Sequence, residues 1–161
     1  MNDDNRTTAI GLARYAREFF DAALAADDKI GRRPGYDIVA PPPVMFLVAH
    51  SIELTLKAYL RHLGLTVTDI VELKHDLNKA WRRASELGLR ERMPLTKDEL
   101  ETLCLISKLH SSTELRYIRT GYKTLPVFGP LQELCAKFLD NICPLVGYDH
   151  RLGETRRTVR S

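Results

Sequence analysis

The sequence predicts an all-α protein, a four- to five-helix up-and-down bundle. Apolar residues recur at helical spacing through most of the 161 residues, no stretch alternates as a strand would, and capping residues, glycines and prolines separate the periodic segments. A chain of this length can bury a hydrophobic core without disulfides or metal. We expect a flexible acidic N-terminus over 1–7, the bundle over 8–145 and a flexible basic tail over 146–161.

The first predicted helix runs from about Thr7 or Thr8 to about Asp28. One of its faces is apolar and rich in alanine, and such small side chains allow an antiparallel neighbour to approach closely. We expect this buried face to contain Leu12, Tyr15, Ala16, Phe19, Ala23 and Ala26. The stretch 31–43 contains Gly35 and three consecutive prolines, so it is predicted to be a partly extended loop.

The second predicted helix, opened by Pro43, is nearly apolar and must therefore be enclosed by other helices. Its apolar arc contains Val48, Ile52, Leu56, Tyr59 and Leu63. A single polar stripe contains His50, Glu53, Lys57 and Arg61. Unpaired charges in such a place are costly, so the stripe is either a buried, paired network or the lining of a site.

Two further helices have well-defined starts. Asp76 is a suitable N-cap for the third helix, which ends at Gly88 and in which Trp81 is expected to anchor the core. Thr96 and Glu99 have the spacing of a capping box, which predicts the start of the fourth helix.

The fourth helix is expected to reach Leu109 or beyond, and the structure of 111–128 is left open by the sequence. The helix could continue to Arg119. Pro130 is predicted to open the last helix and Pro144 to close it.

The composition excludes some classes of protein. With 24 basic and 21 acidic side chains, the net charge of +3 does not indicate a strongly basic nucleic-acid binder. Cys104, Cys135 and Cys143 have no metal-binding or redox spacing and are expected to be buried free thiols. Because no signal peptide or membrane-length apolar run is present, we expect a cytoplasmic protein.

Two motifs resemble the HEPN domain, a small helical bundle common in prokaryotes. Its long second helix has the pattern His-x-x-Glu-x-x-x-Lys-Ala and precedes a Lys/Gly-His-Asp-Leu helix start. The corresponding residues here are His50, Glu53, Lys57 and Ala58, then His75, Asp76 and Leu77. Residues 115–117 are similar to the Leu-x-x-x-Arg-Tyr-Pro segment before the last helix of many members, although no proline follows the tyrosine. The resemblance covers 8–145 and implies a bundle of HEPN type.

Catalytic HEPN members resemble one another in an arginine and a histidine with four to six residues between them, a pair that cleaves RNA without metal. No histidine of this chain has an arginine five to seven positions before it. The resemblance therefore implies a non-catalytic protein that binds nucleotide or RNA without a cofactor. It also implies a homodimer, with a nucleotidyltransferase or antitoxin as a possible partner in a toxin–antitoxin or phage-defence system.

Two groups of residues are candidates for binding nucleotide or RNA. On the second helix, Lys57 would contact a phosphate and Glu53 a ribose hydroxyl. After the fourth helix, tyrosines that stack on bases alternate with cations that hold phosphates. This second group is Arg116, Tyr117, Arg119, Tyr122 and Lys123. The structural alternatives are an ion-pair network that orients the second helix and tyrosines that pack a loop onto the bundle.

Two other functions compete with binding. A metal-independent endoribonuclease could use His110, Arg116 and Arg119, although a surface ion-pair cluster with Glu114 is the favoured interpretation of these residues. A protein–protein interaction module without affinity for nucleic acid is the third alternative. His75 is expected to support the cap of the third helix, and no metal site is predicted because no spacing supplies a third ligand.

Overall fold

The computed structural model describes residues 3–149 and is entirely helical in its regular structure over that range. A short 3₁₀ helix, Asp3–Asn5, precedes seven α-helices. The α-helices are α1 (Ala9–Ile30), α2 (Pro42–His62), α3 (Val67–Val71), α4 (Leu77–Glu86), α5 (Leu89–Arg92), α6 (Lys97–Ser111) and α7 (Phe128–Leu145). The all-α prediction is confirmed, but the predicted number of four to five helices is too low, because the sequence analysis did not include the short helices α3 and α5.

Helix α2 lies at the centre of the packing. Helices α1, α4, α6 and α7 all contact it, as the apolar sequence of this helix predicts. Ile52, Leu56 and Leu60 have no exposed surface. From α7, Phe138 is also fully buried, and its ring meets the indole of Trp81 edge to face at 5.8 Å, so the predicted core role of the tryptophan is confirmed.

The contact between α1 and α2 depends on small side chains. The fully buried alanines of α1 let α2 approach closely enough for the Ser51 hydroxyl to donate a hydrogen bond of 2.7 Å to the carbonyl of Ala16. The buried face is Ala13, Ala16, Phe20 and Ala23. The prediction for Tyr15 is wrong, since its side chain is 51% exposed and packs under the Arg14 guanidinium. At 100° per residue, position 15 lies outside the face that these four buried residues define.

Local capping signals specify several helix starts. The side chain of Thr8 accepts a hydrogen bond from a first-turn N–H of α1, and Asp76 does the same for α4. Thr96 and Glu99 form the predicted capping box of α6. The short helix α3 also has a capping box, made by Thr66 and Asp69, which the sequence analysis did not anticipate.

Both ends of α7 differ from the prediction. The helix begins at Phe128, two residues before Pro130, because the first turn of a helix has N–H groups without intrahelical partners and tolerates proline. Pro144 lies inside the last turn and does not close the helix, which ends at the next residue, Leu145. Helix α6 ends at Ser111, and the possible continuation to Arg119 is not formed.

The predicted terminal segments are described in part. Asp4 accepts a hydrogen bond of 2.6 Å from the backbone N–H of Val67 and lies 3.7 Å from the Arg61 guanidinium. Most of the predicted basic tail lies outside the described residues. Within 3–149, no helix is both long and apolar enough to cross a membrane.

Candidate functional site

A buried carboxylate, Glu53, forms the centre of a polar cluster inside the bundle. Its side chain is 5% exposed. Oxygen Oε1 lies 2.6 Å from Nζ of Lys57. The other oxygen, Oε2, lies 2.6 Å from Nε2 of His110, 3.1 Å from Nδ1 of His75 and 3.8 Å from Nδ1 of His50. One oxygen of this carboxylate is therefore held by an ammonium group, and the other faces three imidazoles. We call these five residues the Glu53 cluster.

Helical spacing and one turn bring part of the cluster together. His50, Glu53 and Lys57 are three and four residues apart on α2, so they share one face of that helix. Nζ of Lys57 also donates a hydrogen bond of 2.8 Å to the carbonyl of Lys74. Lys74 has a positive φ of 50°, an uncommon conformation for a residue other than glycine, and the resulting turn brings His75 over the carboxylate.

Helix α6 supplies the last member. His110 lies in the final turn of α6 and is almost completely buried. One turn earlier, the hydroxyl of Ser107 accepts a hydrogen bond from the N–H of Asn78 and donates one to Asp76 at 3.3 Å. These contacts fix α6 against the start of α4. They bring His110 and His75 into contact with the carboxylate of Glu53, although the two histidines are far apart in the chain.

The cluster determines the charge of its members. Burial acts to raise the pKa of Glu53, but the hydrogen bond from His110 and the contributions of His50 and Lys57 outweigh it and hold the pKa well below its usual range. Burial lowers the pKa of His110, against the opposing effect of Glu53. At neutral pH, Glu53 is therefore an ionised carboxylate, and His110 is a neutral ring that donates from Nε2.

Aromatic rings join the cluster to the surface. Phe46 lies parallel to the ring of His50, with centroids 6.1 Å apart, and 5.9 Å from that of His110. Phe19 also contacts the ring of His50, edge to face at 4.6 Å. The guanidinium of Arg116 lies over the ring of Phe46, 5.4 Å from its centroid.

A surface groove opens beside Phe46. Its volume is about 340 Å³, and it is lined by Pro43, Phe46, Leu47, Leu115 and Arg116. Its lining is mostly apolar, with a guanidinium at one edge. This combination suits a flat, aromatic group that carries a negative charge.

The segment 112–127 follows α6 and presents the second group of predicted residues. Tyr117 is 69% exposed, and Tyr122 is fully exposed. Arg116 and Arg119 are exposed and have no ion-pair partner within residues 3–149, whereas Lys123 lies 3.7 Å from the carboxylate of Glu114. We call this segment the arginine–tyrosine loop.

The predicted residues thus fall into two neighbouring regions. Glu53 and Lys57 form a buried ion pair, in agreement with the structural alternative, and their nucleotide-binding role stays a prediction. His110 contacts Glu53, and its predicted grouping with Arg116 and Arg119 in one helix is not formed because α6 ends first. The binding role of the arginine–tyrosine loop also stays a prediction.

The sequence analysis did not predict that His75 and His110 contact the same oxygen of Glu53. His75 was expected to support a cap, but its Nδ1 contacts Glu53. The chain separations of 22 and 57 residues between Glu53 and His75 or His110 follow no motif spacing. The only sequence signal was that a buried acidic side chain on α2 needs several partners.

Three members of the cluster could also hold a metal ion. His50, Glu53 and His110 each offer one ligand atom, and these atoms lie within 4.8 Å of one another. The sequence analysis predicted no metal because no spacing supplied a third ligand. Here the third ligand, His110, comes from α6, a helix separate from the α2 that carries the other two.

The sequence matches no protein-family model, no curated protein and no solved structure.

Proposed function

We propose that this chain is a HEPN-like helical bundle that binds single-stranded RNA, or a nucleotide as its smallest unit, without cleaving it. The observation that carries the proposal is the arginine–tyrosine loop, where Tyr117 and Tyr122 are exposed and alternate with two exposed arginines that form no ion pair within the described part of the chain. Exposed tyrosines add apolar surface to water without stabilising the fold. Stacking on a base is worth about 1–3 kcal/mol per aromatic ring in single-strand binders.

The groove beside Phe46 supports the same proposal. A base that enters it would contact Phe46 and Leu47, while the guanidinium of Arg116 stays close to the phosphate. Arg119, three residues further along the loop, would hold the next phosphate. The contacts are to the backbone and to the faces of bases, so we expect weak sequence preference and strong salt dependence.

The surroundings of His110 support binding without cleavage. A general base has to reach the 2′-hydroxyl of the substrate, within hydrogen-bond distance. His110 is 1% exposed, and its Nε2 is engaged by Glu53. The alternative endoribonuclease of His110, Arg116 and Arg119 would require this ring to leave the core.

One observation favours a second candidate, a ribonuclease that uses a different histidine. The side chain of His75 is 43% exposed, and its Nδ1 lies 3.1 Å from the buried Glu53 carboxylate. A carboxylate on one ring nitrogen orients an imidazole so that the other nitrogen can act as a base. This arrangement makes His75 the histidine to replace if cleavage is observed.

The oligomeric state and partner are proposed from the resemblance alone. We propose a homodimer, which light scattering of the purified protein would test. We also propose that the chain forms a complex with a nucleotidyltransferase or an antitoxin, as part of a toxin–antitoxin or phage-defence system. If the chain is instead an interaction module, it will have no affinity for RNA even at low salt.

The test measures binding and cleavage together. EDTA-treated protein is titrated into fluorescent single-stranded RNA at low salt, and anisotropy is followed with fragment length. We expect binding without cleavage, and Arg116→Ala/Arg119→Ala should weaken binding more than about tenfold. The slope of the logarithm of the binding constant against the logarithm of the salt concentration should fall in magnitude by about 1.4, because two phosphate contacts are lost at about 0.7 each.

A matched control removes the same charge elsewhere. Arg82→Ala/Arg83→Ala, on the exposed face of α4, should leave binding nearly unchanged. Equal losses in the two double variants would show that only net charge matters and would contradict the proposal. Cleavage in EDTA that His75→Ala abolishes would replace it with the second candidate.

A further inference from the structure

We infer that His50, Glu53 and His110 bind a divalent transition-metal ion, with Zn²⁺ as the best match. This inference does not depend on RNA binding. It starts from the convergence of three imidazole nitrogens on one oxygen of Glu53 at 2.6, 3.1 and 3.8 Å. Lys57 already pairs with the charge of this carboxylate through Oε1, so an ion pair alone does not account for three histidines around Oε2.

Lys57 prepares the carboxylate to act as a one-oxygen ligand. Its Nζ lies 2.6 Å from Oε1 and is also held by the carbonyl of Lys74, so Oε1 is engaged on the side away from the histidines. Oε2 is the oxygen that faces the imidazoles. Groups that orient a ligand in this way strengthen metal sites, and removing one typically costs about 10–100-fold in affinity.

An unpartnered nitrogen is the second observation. Nδ1 of His50 is buried, has no hydrogen-bond partner among the residues that the structure describes and lies 3.8 Å from Oε2, which is too long for a hydrogen bond. A buried polar atom without a partner is costly, and few occur in native proteins. A metal ion between this nitrogen and the carboxylate would satisfy it. Phe19 and Phe46 pack on the His50 ring and restrict its rotation.

The ligand set indicates the class of metal. Two imidazole nitrogens and one carboxylate oxygen suit Zn²⁺, Co²⁺, Ni²⁺ and Fe²⁺, whereas Mg²⁺ and Ca²⁺ prefer sites made of oxygen atoms. Nε2 of His110 carries the proton of its hydrogen bond to Glu53, so binding an ion there requires the neutral ring to hold that proton on Nδ1 instead. Three protein ligands leave a further coordination position, as in zinc sites that bind water or substrate. His75 is the nearest additional nitrogen donor. Its side chain is 43% exposed, so the cluster has a path to solvent.

The test uses Co²⁺ as a spectroscopic probe and Zn²⁺ as its competitor. The full chain is stripped with EDTA, dialysed and titrated with Co²⁺ while visible d–d absorption is recorded. We expect bands that saturate at one equivalent per chain and are displaced by one equivalent of Zn²⁺. Bound Zn²⁺ should also raise the melting temperature, and EDTA should reverse the rise.

Variants locate the ion. His50→Gln should weaken binding by more than about 100-fold, because it removes a ligand and not merely an orienting group. His50 is only partly buried, so this variant is expected to remain folded, which circular dichroism checks. His110→Gln is the second variant. His62→Gln, an exposed histidine on the same helix as His50, is the matched control and should bind as the natural chain does.

Two results would overturn the inference. One is the absence of saturable Co²⁺ or Zn²⁺ binding by the folded natural chain. The other is binding that His50→Gln and His110→Gln retain, since the ion would then lie elsewhere. Neither result affects the RNA test, which is done in EDTA.

Discussion

The Glu53–Lys57 pair gives the sharpest stability prediction. Both side chains are nearly buried, at 5% and 11% exposed, and their charged atoms are 2.6 Å apart. Replacing one partner leaves the other charge buried without compensation, which costs about 3–5 kcal/mol. Glu53→Leu also removes the acceptor of His110 and His75, so we expect a loss in that range. At about 2–4 °C per kcal/mol for a domain of this size, the melting temperature should fall by about 6–20 °C.

The double variant distinguishes pairing from burial. Lys57→Met alone leaves Glu53 with its two histidine hydrogen bonds, so we expect a smaller loss of about 1–3 kcal/mol. Glu53→Leu/Lys57→Met replaces both charges with apolar groups, and its loss should be at least about 1 kcal/mol smaller than the sum of the single losses.

Urea unfolding measures these free energies. They are compared only between variants whose free energy of unfolding depends on urea concentration with the same slope. The exposed pair Lys97–Glu101, 3.9 Å apart, is the control. Lys97→Met should change the free energy of unfolding by less than about 0.5 kcal/mol. Additive losses in the double variant of the cluster would refute the reasoning, because they would mean that Glu53 and Lys57 stabilise the protein independently.

Three other predictions concern acid stability, the core and the thiols. Burial acts to raise the pKa of Glu99, but an ammonium group of α7 hydrogen-bonded to it outweighs this and lowers the pKa from 4.5. The contribution of Glu99 to the free energy of unfolding is therefore present above pH 4.5 and is lost as the pH falls through the lowered pKa of the folded protein. In urea titrations at acid pH, the difference in this free energy between the natural chain and Glu99→Gln should shrink. Phe138→Ala, at a fully buried position, should cost about 3–5 kcal/mol in the same assay, and a loss below about 1 kcal/mol would contradict the packing described for α7. Burial raises the pKa of Cys135 to about 12 and that of Cys143 to about 11. A thiol reagent should therefore modify Cys104 first in the native protein, and mass mapping that finds another cysteine first would show this to be wrong.

The predictable features were those decided within a few residues. The caps at Thr8, Asp76 and Thr96 depend on a side chain and an N–H three residues away, so the sequence is sufficient to place them. The same applies to the shared face of Glu53 and Lys57, which follows from helical spacing.

The remaining features depend on tertiary contacts. The rotation of α1 that exposes Tyr15 is set by how closely α2 approaches, which periodicity does not specify. His75 and His110 reach Glu53 only because α4 and α6 pack on α2. The end of α6 was also unpredictable, because no glycine or proline marks Ser111, and Thr113 takes a positive φ of 66° just after it.

The arginine–tyrosine loop is fastened at both ends. It starts where His110 is held by Glu53, and at its far end the N–H of Phe128 donates a hydrogen bond of 2.9 Å to the carbonyl of Ile38. A segment closed in this way has already lost part of its conformational entropy during folding, so ordering it on a ligand costs less than ordering a free tail of the same length. Leu115 and Arg116 of this loop line the Phe46 groove, so the closed loop also limits how far its exposed tyrosines can move from that groove. A single backbone cut within the loop would remove no side chain, yet it would release this constraint and should weaken the proposed binding while the helices stay packed.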